Sequence, residues 1–395
     1  MRILIVSSTY APLANGQAIF TTNLAEQLAK VHSVAAVVPS DQGQTYHTKK
    51  NGVEVQFLWT IDMSILYPGA LFTPFPEVII QRVIRSFKPD VVHIQDHYPL
   101  CYYALRIARQ NNVKVIGTNH FMPENIAPIV PWIARYKRSF NWLLWWWMLR
   151  LYNRVDIATA PSKTAVDVLK RQKIKVPIFP ITCGVDLERF HPNPAVNRTF
   201  WRRRYGLGDD KVVFLFVGRV DGEKRLDVLI NALHLMKRDD IQLVIAGTGA
   251  NLSRLSELAE RLGLGDKVLF TGYIPNEHLS SLLNSVDVFA MPSEAELLSI
   301  ATLEAMATAR PVLLANALAL PELASQGENG YLFEPGNAQD AAHYMALLTD
   351  HPEKWADMGA ASQKRAQLHG LEKMRVGYEE IYRKALGESG LDHSA

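Results

Sequence analysis

The 395-residue sequence predicts an α/β protein of two successive domains, each a parallel sheet with helices on both faces. Three observations predict it. Short, almost continuously apolar runs alternate with segments of helical spacing. The alternation stops in a polar stretch rich in arginine and proline near residues 188–210. It then starts again and runs nearly to the end of the chain.

In the first half, "RILIVSS" reads as a buried strand, and "AIFTTNLAEQLAKV" as a helix with Phe20, Leu24 and Leu28 on one face. "SVAAVV", "VEVQFLW", "DVVHIQ", "KVIGTN" and "VDIATAPS" are further strand candidates. The second half repeats the pattern through "KVVFLFVGR", "IQLVIAG", "KVLFTGY", "DVFAMPS", "PVLLAN" and "GYLF", with helices between. The divisions expected are a first domain over 1–190, a linker over 191–208, a second domain over 209–372, and a last helix and tail over 373–395. Ligands in such sheets bind beyond the carboxyl ends of the strands.

Composition narrows the class. Hydrophobic content of 48% and charged content of 21% are those of a globular protein. Cys101 and Cys183 cannot make a disulfide framework and suit a reducing compartment as packed thiols. No run approaches the roughly 20 apolar residues of a membrane span, and the start of the chain lacks a secretory leader pattern. A cytoplasmic protein is expected. Residues 1–190 carry about 21 basic and 12 acidic side chains by count, so the first half is basic and the second acidic. No nucleic-acid-binding motif accompanies that charge, so nucleic acid is not expected as a partner.

Three stretches carry chemistry. In "FVGRVDGEKRLDVLINAL" a strand ends at Gly218, a loop presents Arg219 and Lys224, and a helix begins near Arg225. Two fixed cations beside backbone amides suit a diphosphate, though both could equally be solvated loop charges. In "AGTGA", Gly247 and Gly249 follow a strand and would let backbone approach a ligand closely. In "MPSEAELLSIATLEAMA", Glu296 and Glu304 stand eight residues apart. With a helix starting near Leu298, Glu304 would lie about two turns in. The amides of Leu298, Ser299 and Ile300 would then form a positive helix terminus suited to phosphate. Carboxylates accept hydrogen bonds from sugar hydroxyls, so Glu304 would face a ribose and Glu296 a transferred sugar.

The order of these three signals resembles that of the glycosyltransferases of family 4, and the resemblance covers nearly the whole chain. It implies the GT-B fold, two Rossmann-like domains facing a cleft, with the last helix returning to the first domain. It implies that Arg219 and Lys224 hold the donor diphosphate, and that the loop Gly272–Ile274, with Tyr273, lies against the nucleobase. "APLANGQA" is similar to the family's first glycine-rich loop, so Gly16 would face phosphates or acceptor. His120 in "GTNHFMPEN" matches a histidine that reaches the donor sugar. The sequence departs from the family in two places. "LLS" follows the first glutamate where Gly-Phe-Gly is usual, so Leu297 would narrow the approach to the donor. Asn15-Gly16 stands where two glycines are common.

The reaction implied is hexose transfer from a nucleotide sugar, UDP-glucose or GDP-mannose, with retention of configuration. Arg219, Lys224 and the helix terminus would stabilise the departing diphosphate. No cofactor is expected, and no metal, since no Asp-X-Asp loop is present. Asp96 and His97, just after a strand, could face the acceptor or be ordinary loop residues.

The acceptor reading rests on "NWLLWWWMLRLYNR". Five of the eight tryptophans fall between Trp132 and Trp147. On an ideal helix over 132–154, Ile133, Phe140, Leu144, Trp147 and Leu151 share a core face. Arg135, Arg138, Trp142, Trp146, Arg150 and Asn153 share the opposite one. Tryptophan interleaved with arginine suits an anionic membrane surface, or local packing with the arginines reaching out. The apolar stretch "MSILYPGALFTPFP" also suits a greasy acceptor. Together these predict a peripheral enzyme at the inner face of the membrane, resembling the branch of the family that glycosylates diacylglycerol-type lipids. The alternatives are transfer to a small polyol, phosphoinositol or glycan, and a GT-B-like sugar-nucleotide epimerase.

Overall fold

A computed structural model describes residues 1–12, 15–62, 71–123 and 137–388. The chain forms two compact units. The first runs Met1–Gly184 and takes in the chain again from Leu371; the second is Val185–Gly370.

The first unit contains β1 (Arg2–Val6), α1 (Gly16–Ala29), β2 (Ser33–Pro39), β3 (Tyr46–Lys50), β4 (Val53–Leu58), β5 (Ile61–Asp62), β6 (Leu71–Phe72) and α2 (Glu77–Phe87). It continues with β7 (Val91–Ile94), α3 (Pro99–Gln110), β8 (Lys114–Thr118), α4 (Lys137–Tyr152), β9 (Ile157–Ala160), α5 (Lys163–Arg171) and β10 (Ile178–Pro180). Its sheet has the order β10-β9-β8-β7-β1-β2-β4-β3. All neighbours are parallel except β3, which pairs antiparallel with β4. This edge strand is absent from the sequence expectation because "YHTKK" is polar. Its signal was the dipeptide Asn51-Gly52, whose positive φ values of 48° and 84° make the tight turn of a two-residue hairpin.

The second unit contains α6 (Arg198–Arg204), β11 (Val212–Val217), α7 (Leu226–Met236), β12 (Ile241–Ala246), α8 (Leu252–Arg261), β13 (Val268–Gly272), α9 (Asn276–Leu283) and β14 (Val288–Met291). It closes with α10 (Ile300–Ala307), β15 (Val312–Ala315), β16 (Gly330–Phe333), α11 (Ala338–Asp350) and α12 (Trp355–Ala366). Its six strands are all parallel, in the order β13-β12-β11-β14-β15-β16.

The stretch expected as a linker is not one. It folds as part of the second unit, and α6 places Arg202 at 2% exposure. There Arg202 donates to Asp287 at 2.6 Å and to the carbonyls of Ser285, Gly208 and Lys211. An arginine so completely satisfied is a structural element, although its neighbours Arg203 and Arg204 are exposed as the sequence suggests.

The last helix, α13 (Leu371–Leu386), belongs to the first unit. Tyr378, Ile381 and Tyr382 are buried there. Tyr382 Oη lies 2.8 Å from His93 Nδ1, and His93 Nε2 lies 2.7 Å from Thr118 Oγ1. Thr118 in turn meets Thr159 at 2.6 Å and Tyr378 Oη at 3.2 Å. Burial pushes His93 down to about 3, so the neutral imidazole sits in this network. The helix is therefore held by polar contacts from three strands as well as by apolar packing.

Candidate active site

In each sheet one central strand has neighbours that run off in opposite directions along the sequence: β1 between β2 and β7, and β11 between β12 and β14. Ligands of such sheets gather beyond the carboxyl ends of these strands.

In the second unit the loop after β11 is joined to the one after β12. The Gly218 amide donates to the Ala246 carbonyl at 3.0 Å, Val220 to Thr248 at 2.9 Å, and Asn251 back to Val220 at 2.9 Å. A Cβ on Gly247 would stand 1.8 Å from the Gly218 carbonyl oxygen, and one on Gly249 would stand 2.5 Å from the Val220 backbone. The space a side chain would take at these glycines is filled by the backbone of the neighbouring loop, and this close approach fixes where Arg219 emerges.

Arg219 pairs with Asp221 at 2.6 Å and Glu223 at 2.9 Å, while about half its side chain stays exposed. Lys224 meets Glu296 at 2.5 Å, with both side chains largely buried. Arg225 pairs with Glu294 and Asp227. The Glu223 carbonyl accepts from Ser293 Oγ at 3.2 Å and from the Glu294 amide at 3.3 Å. The loops after β11 and β14 thus form one charged cluster. The sequence reading found Arg219, Lys224 and Glu296 but missed Arg225 as a third base and that five carboxylates surround the three. It missed them because they belong to two loops 70 residues apart in sequence.

The helix following Glu296 starts at Ile300 rather than near Leu298. Ser299 caps it, with its Oγ accepting from the Thr302 amide at 3.2 Å. The amides of Ile300 and Ala301 have no intrahelical acceptor and carry the positive end of the helix. Glu304 therefore lies just over one turn in, not two. Half-buried, its carboxyl is pushed up to about 7 by burial, with Arg189 opposing and Asp186 adding to the rise. Leu297, expected to narrow the donor approach, is buried at 7% exposure. At the end of β13, Tyr273 is 57% exposed, whereas the Ile274 side chain is in the core and offers only backbone.

In the first unit, Gly16 opens α1 with open space where a Cβ would stand. Asn15 caps that helix through the Ala18 amide at 2.8 Å, which explains an asparagine at this position. Asp96 does not offer its carboxylate to an acceptor. Both oxygens are occupied by the Ser8 amide and hydroxyl, Gln17 Nε2 and the Tyr98 amide, at 2.7–3.1 Å. It ties the loop after β1 to the loop after β7. His97 beside it is 3% exposed, lies between Tyr98 and Phe121, and keeps Nδ1 without a partner among the described residues. Burial pushes it down to about 4. His120 contacts Gln95 Oε1 at 3.2 Å and stacks near Phe20; burial pushes it down to about 3. Gln95 Nε2 and Thr9 Oγ1 are also buried without partners among the described residues. Neutral imidazoles and orphaned polar atoms at the ends of β1, β7 and β8 are groups suited to hydroxyl ligands. Gln95 and Thr9 had no sequence signal.

Helix α4 departs from the sequence phase on its inner side. Trp145, Met148, Leu151 and Tyr152 are buried there, whereas Leu144 and Trp147 are only half-buried. Trp147 Nε1 donates to the His97 carbonyl at 3.0 Å. On the outer side Trp142 is 67% and Trp146 48% exposed, with Arg150 over the Trp146 ring at 5.5 Å, while Asn153, expected there too, lies past the helix end, half-buried, accepting from the Lys175 amide at 2.6 Å. Trp132, Ile133, Arg135, the Arg138 side chain and residues 63–70 of the apolar stretch lie outside the described residues. Phe75, in the described part of that stretch, is 90% exposed just before α2, and it continues into a face the sequence reading missed, with Val78 66% exposed and Arg82 and Arg85 exposed. Helix α3 links the two, through Glu77–Arg106 on one side and Tyr102–Trp147 ring contact on the other.

Among the described residues no group of three or more His, Cys, Asp or Glu side chains is placed to hold a metal, and no helix is long and apolar enough to cross a membrane. Both cysteines are buried thiols.

Comparison with known proteins places this geometry. The family model described as Glycosyltransferase Family 4 matches residues 14–189, and that of the glycosyl transferases group 1 matches residues 197–365. The chain is 29% identical over 304 residues to the sulfoquinovosyl transferase of Arabidopsis thaliana, covering 74% of this chain and only 56% of the plant protein. It is 26% identical over 322 residues to the alpha-monoglucosyldiacylglycerol synthase of Streptococcus pneumoniae, covering 79% of this chain and 70% of that one. The Anabaena protein HepE, solved in complex with UDP-glucose, shares the fold with a TM-score of 0.78 at 18% identity, over 97% of this chain and 100% of its own. With both halves matched in order and two Rossmann-like units of GT-B type, the chain belongs to the family 4 glycosyltransferases.

Proposed function

We propose that this glycosyltransferase moves a hexose from a nucleotide sugar, with retention of configuration, to a hydroxyl of a diacylglycerol-type lipid or glycolipid at a membrane surface. The observation that carries the lipid acceptor is the outer face of α4, where Trp142 and Trp146 stand in solvent beside Arg150. Aromatic rings beside arginine suit the headgroup level of an anionic bilayer. The face at Phe75, Val78, Arg82 and Arg85 has the same make-up, and the Streptococcus pneumoniae relative is named as a monoglucosyldiacylglycerol synthase.

The donor reading rests on the cluster after β11 and β14. Arg219, Lys224 and the amides at the start of α10 neutralise a departing diphosphate, Glu296 takes sugar hydroxyls, and Glu304 takes the ribose. Tyr273 offers an exposed ring for the base, and UDP-glucose bound to HepE supports a nucleotide-sugar donor. His120 and Gly16 are the first unit's candidates on the sugar and acceptor side, with His97 and Gln95 added. The working place proposed is the inner face of the membrane, without a metal.

Sedimentation with vesicles rich in anionic lipid tests the surface. The full chain pellets with them at moderate salt and stays in solution with purely zwitterionic ones. Equal recovery in the supernatant from both would refute the lipid assignment.

A further inference from the structure

The two cations assigned to the donor diphosphate are not waiting for it. Lys224 is held by Glu296 at 2.5 Å, and the pair is largely buried at 16% and 12% side-chain exposure. Arg219 by contrast keeps its partners Asp221 and Glu223 on its own loop while half the side chain stays open. A phosphate oxygen can therefore join Arg219 without evicting a carboxylate, but it cannot take Lys224 on the same terms. A carboxylate and a phosphate on one largely buried ammonium share its single positive charge and repel each other. A carboxylate left beside a phosphate, largely out of water and without a donor, is strongly disfavoured.

We infer that Glu296 makes the site select the nucleotide sugar over the bare nucleoside diphosphate, through its exchange between Lys224 and the sugar. The inference rests on the donor reading above. When the complete donor enters, the diphosphate takes Lys224 and the sugar hydroxyls donate to the released Glu296, so both charges remain partnered. When the nucleoside diphosphate enters alone, Lys224 is taken but Glu296 has nothing to accept from. After transfer the same imbalance acts on the product. Glu296 returns to Lys224 and weakens the hold on the leaving nucleoside diphosphate, so the residue serves product release as well as sugar recognition.

The backbone supports a moving Glu296 over a moving Lys224. Lys224 sits in the short 3-10 turn Gly222–Lys224, whose neighbour Glu223 is fixed by Ser293 and Glu294. Glu296 lies in the irregular segment ahead of α10, tied by one backbone bond from the Ala319 amide to its carbonyl at 3.2 Å.

The test is calorimetric titration of the full chain with UDP, UDP-glucose, GDP and GDP-mannose, for the native protein, Glu296→Gln and Lys224→Ala. Glutamine keeps the shape and removes the charge. The expected result is counter to simple loss of a contact: Glu296→Gln binds the effective nucleoside diphosphate about tenfold more tightly, while its preference for the matching nucleotide sugar shrinks. Product inhibition of transfer strengthens in step. Unchanged or weaker diphosphate binding by Glu296→Gln, in a protein whose Lys224→Ala variant loses it, would overturn the exchange and leave the diphosphate site standing. Unchanged diphosphate binding in Lys224→Ala would overturn the site itself, and the exchange with it.

Discussion

Glu304, the residue proposed for the ribose, offers a prediction in which it lowers stability. Its carboxyl sits half-buried on the first turns of α10 and titrates at about 7 in the folded chain instead of the ordinary 4.5, with burial as the main cause. For an acid raised in this way, the folded state binds the proton more tightly than the unfolded one. The stability it contributes is fully present below the unfolded value and is lost as pH rises through about 7. From the two values, ionised Glu304 costs roughly 3 kcal/mol above pH 8. Glu304→Gln removes the ionisation and keeps the shape. Urea unfolding of both proteins from pH 4 to pH 8.5 should therefore give matching stabilities at the acid end, and a variant more stable than the native chain by about 3 kcal/mol at the alkaline end. Ribose hydroxyls donating to the carboxylate would favour its ionised form, so donor binding near pH 7 should release protons in the native protein and not in the variant. Calorimetry in buffers of different ionisation enthalpy reads that release. A stability difference that does not vary with pH would refute the burial account of Glu304. Proton release equal in both proteins would refute its place at the ribose.

Other outcomes follow from the same geometry. Replacing Trp142 and Trp146 together by serine should cut binding to anionic vesicles by at least about tenfold while leaving calorimetric donor affinity unchanged. Lys224→Ala should lower kcat/KM for the donor by about a hundredfold or more, measured as initial rates, since it removes the charge proposed for the leaving group. Gly247→Ala should prevent the loop after β11 from closing on its neighbour, because the added Cβ would stand 1.8 Å from a backbone oxygen; donor binding by calorimetry should be lost even where circular dichroism shows a folded chain. Tyr382→Phe removes the hydroxyl that meets the buried His93 and should cost about 1–2 kcal/mol in urea unfolding.

The strands were legible because buried parallel strands are nearly continuous apolar runs, and "RILIV" or "VVFLFV" admits no other reading at that length. Arg219, Lys224 and Glu296 were legible as candidates because each lies in a loop following a strand; Glu304 was picked out by its spacing of eight residues from Glu296. What stayed hidden depends on partners distant in sequence. Arg202 looked like one more linker arginine until Asp287 and three carbonyls enclosed it. Asp96 looked free until Ser8 and Gln17 consumed its oxygens. Gly247 reads as a ligand-facing residue in one dimension and as a packing residue in three. In α4, three consecutive tryptophans spread over about 200° of the circumference, so the apolar pattern alone did not fix its rotation. The structure turned Trp145 inward and left Trp146 outside.

The most direct test of the central claim is transfer itself. The full chain is incubated with labelled UDP-glucose or GDP-mannose and offered anionic vesicles containing diacylglycerol or a glycolipid, alongside soluble polyol, inositol phosphate and oligosaccharide acceptors. The account predicts label in the lipid extract, joined through a linkage of the donor's own anomeric configuration by NMR. Label confined to a soluble acceptor, or a lipid product of inverted configuration, would contradict it.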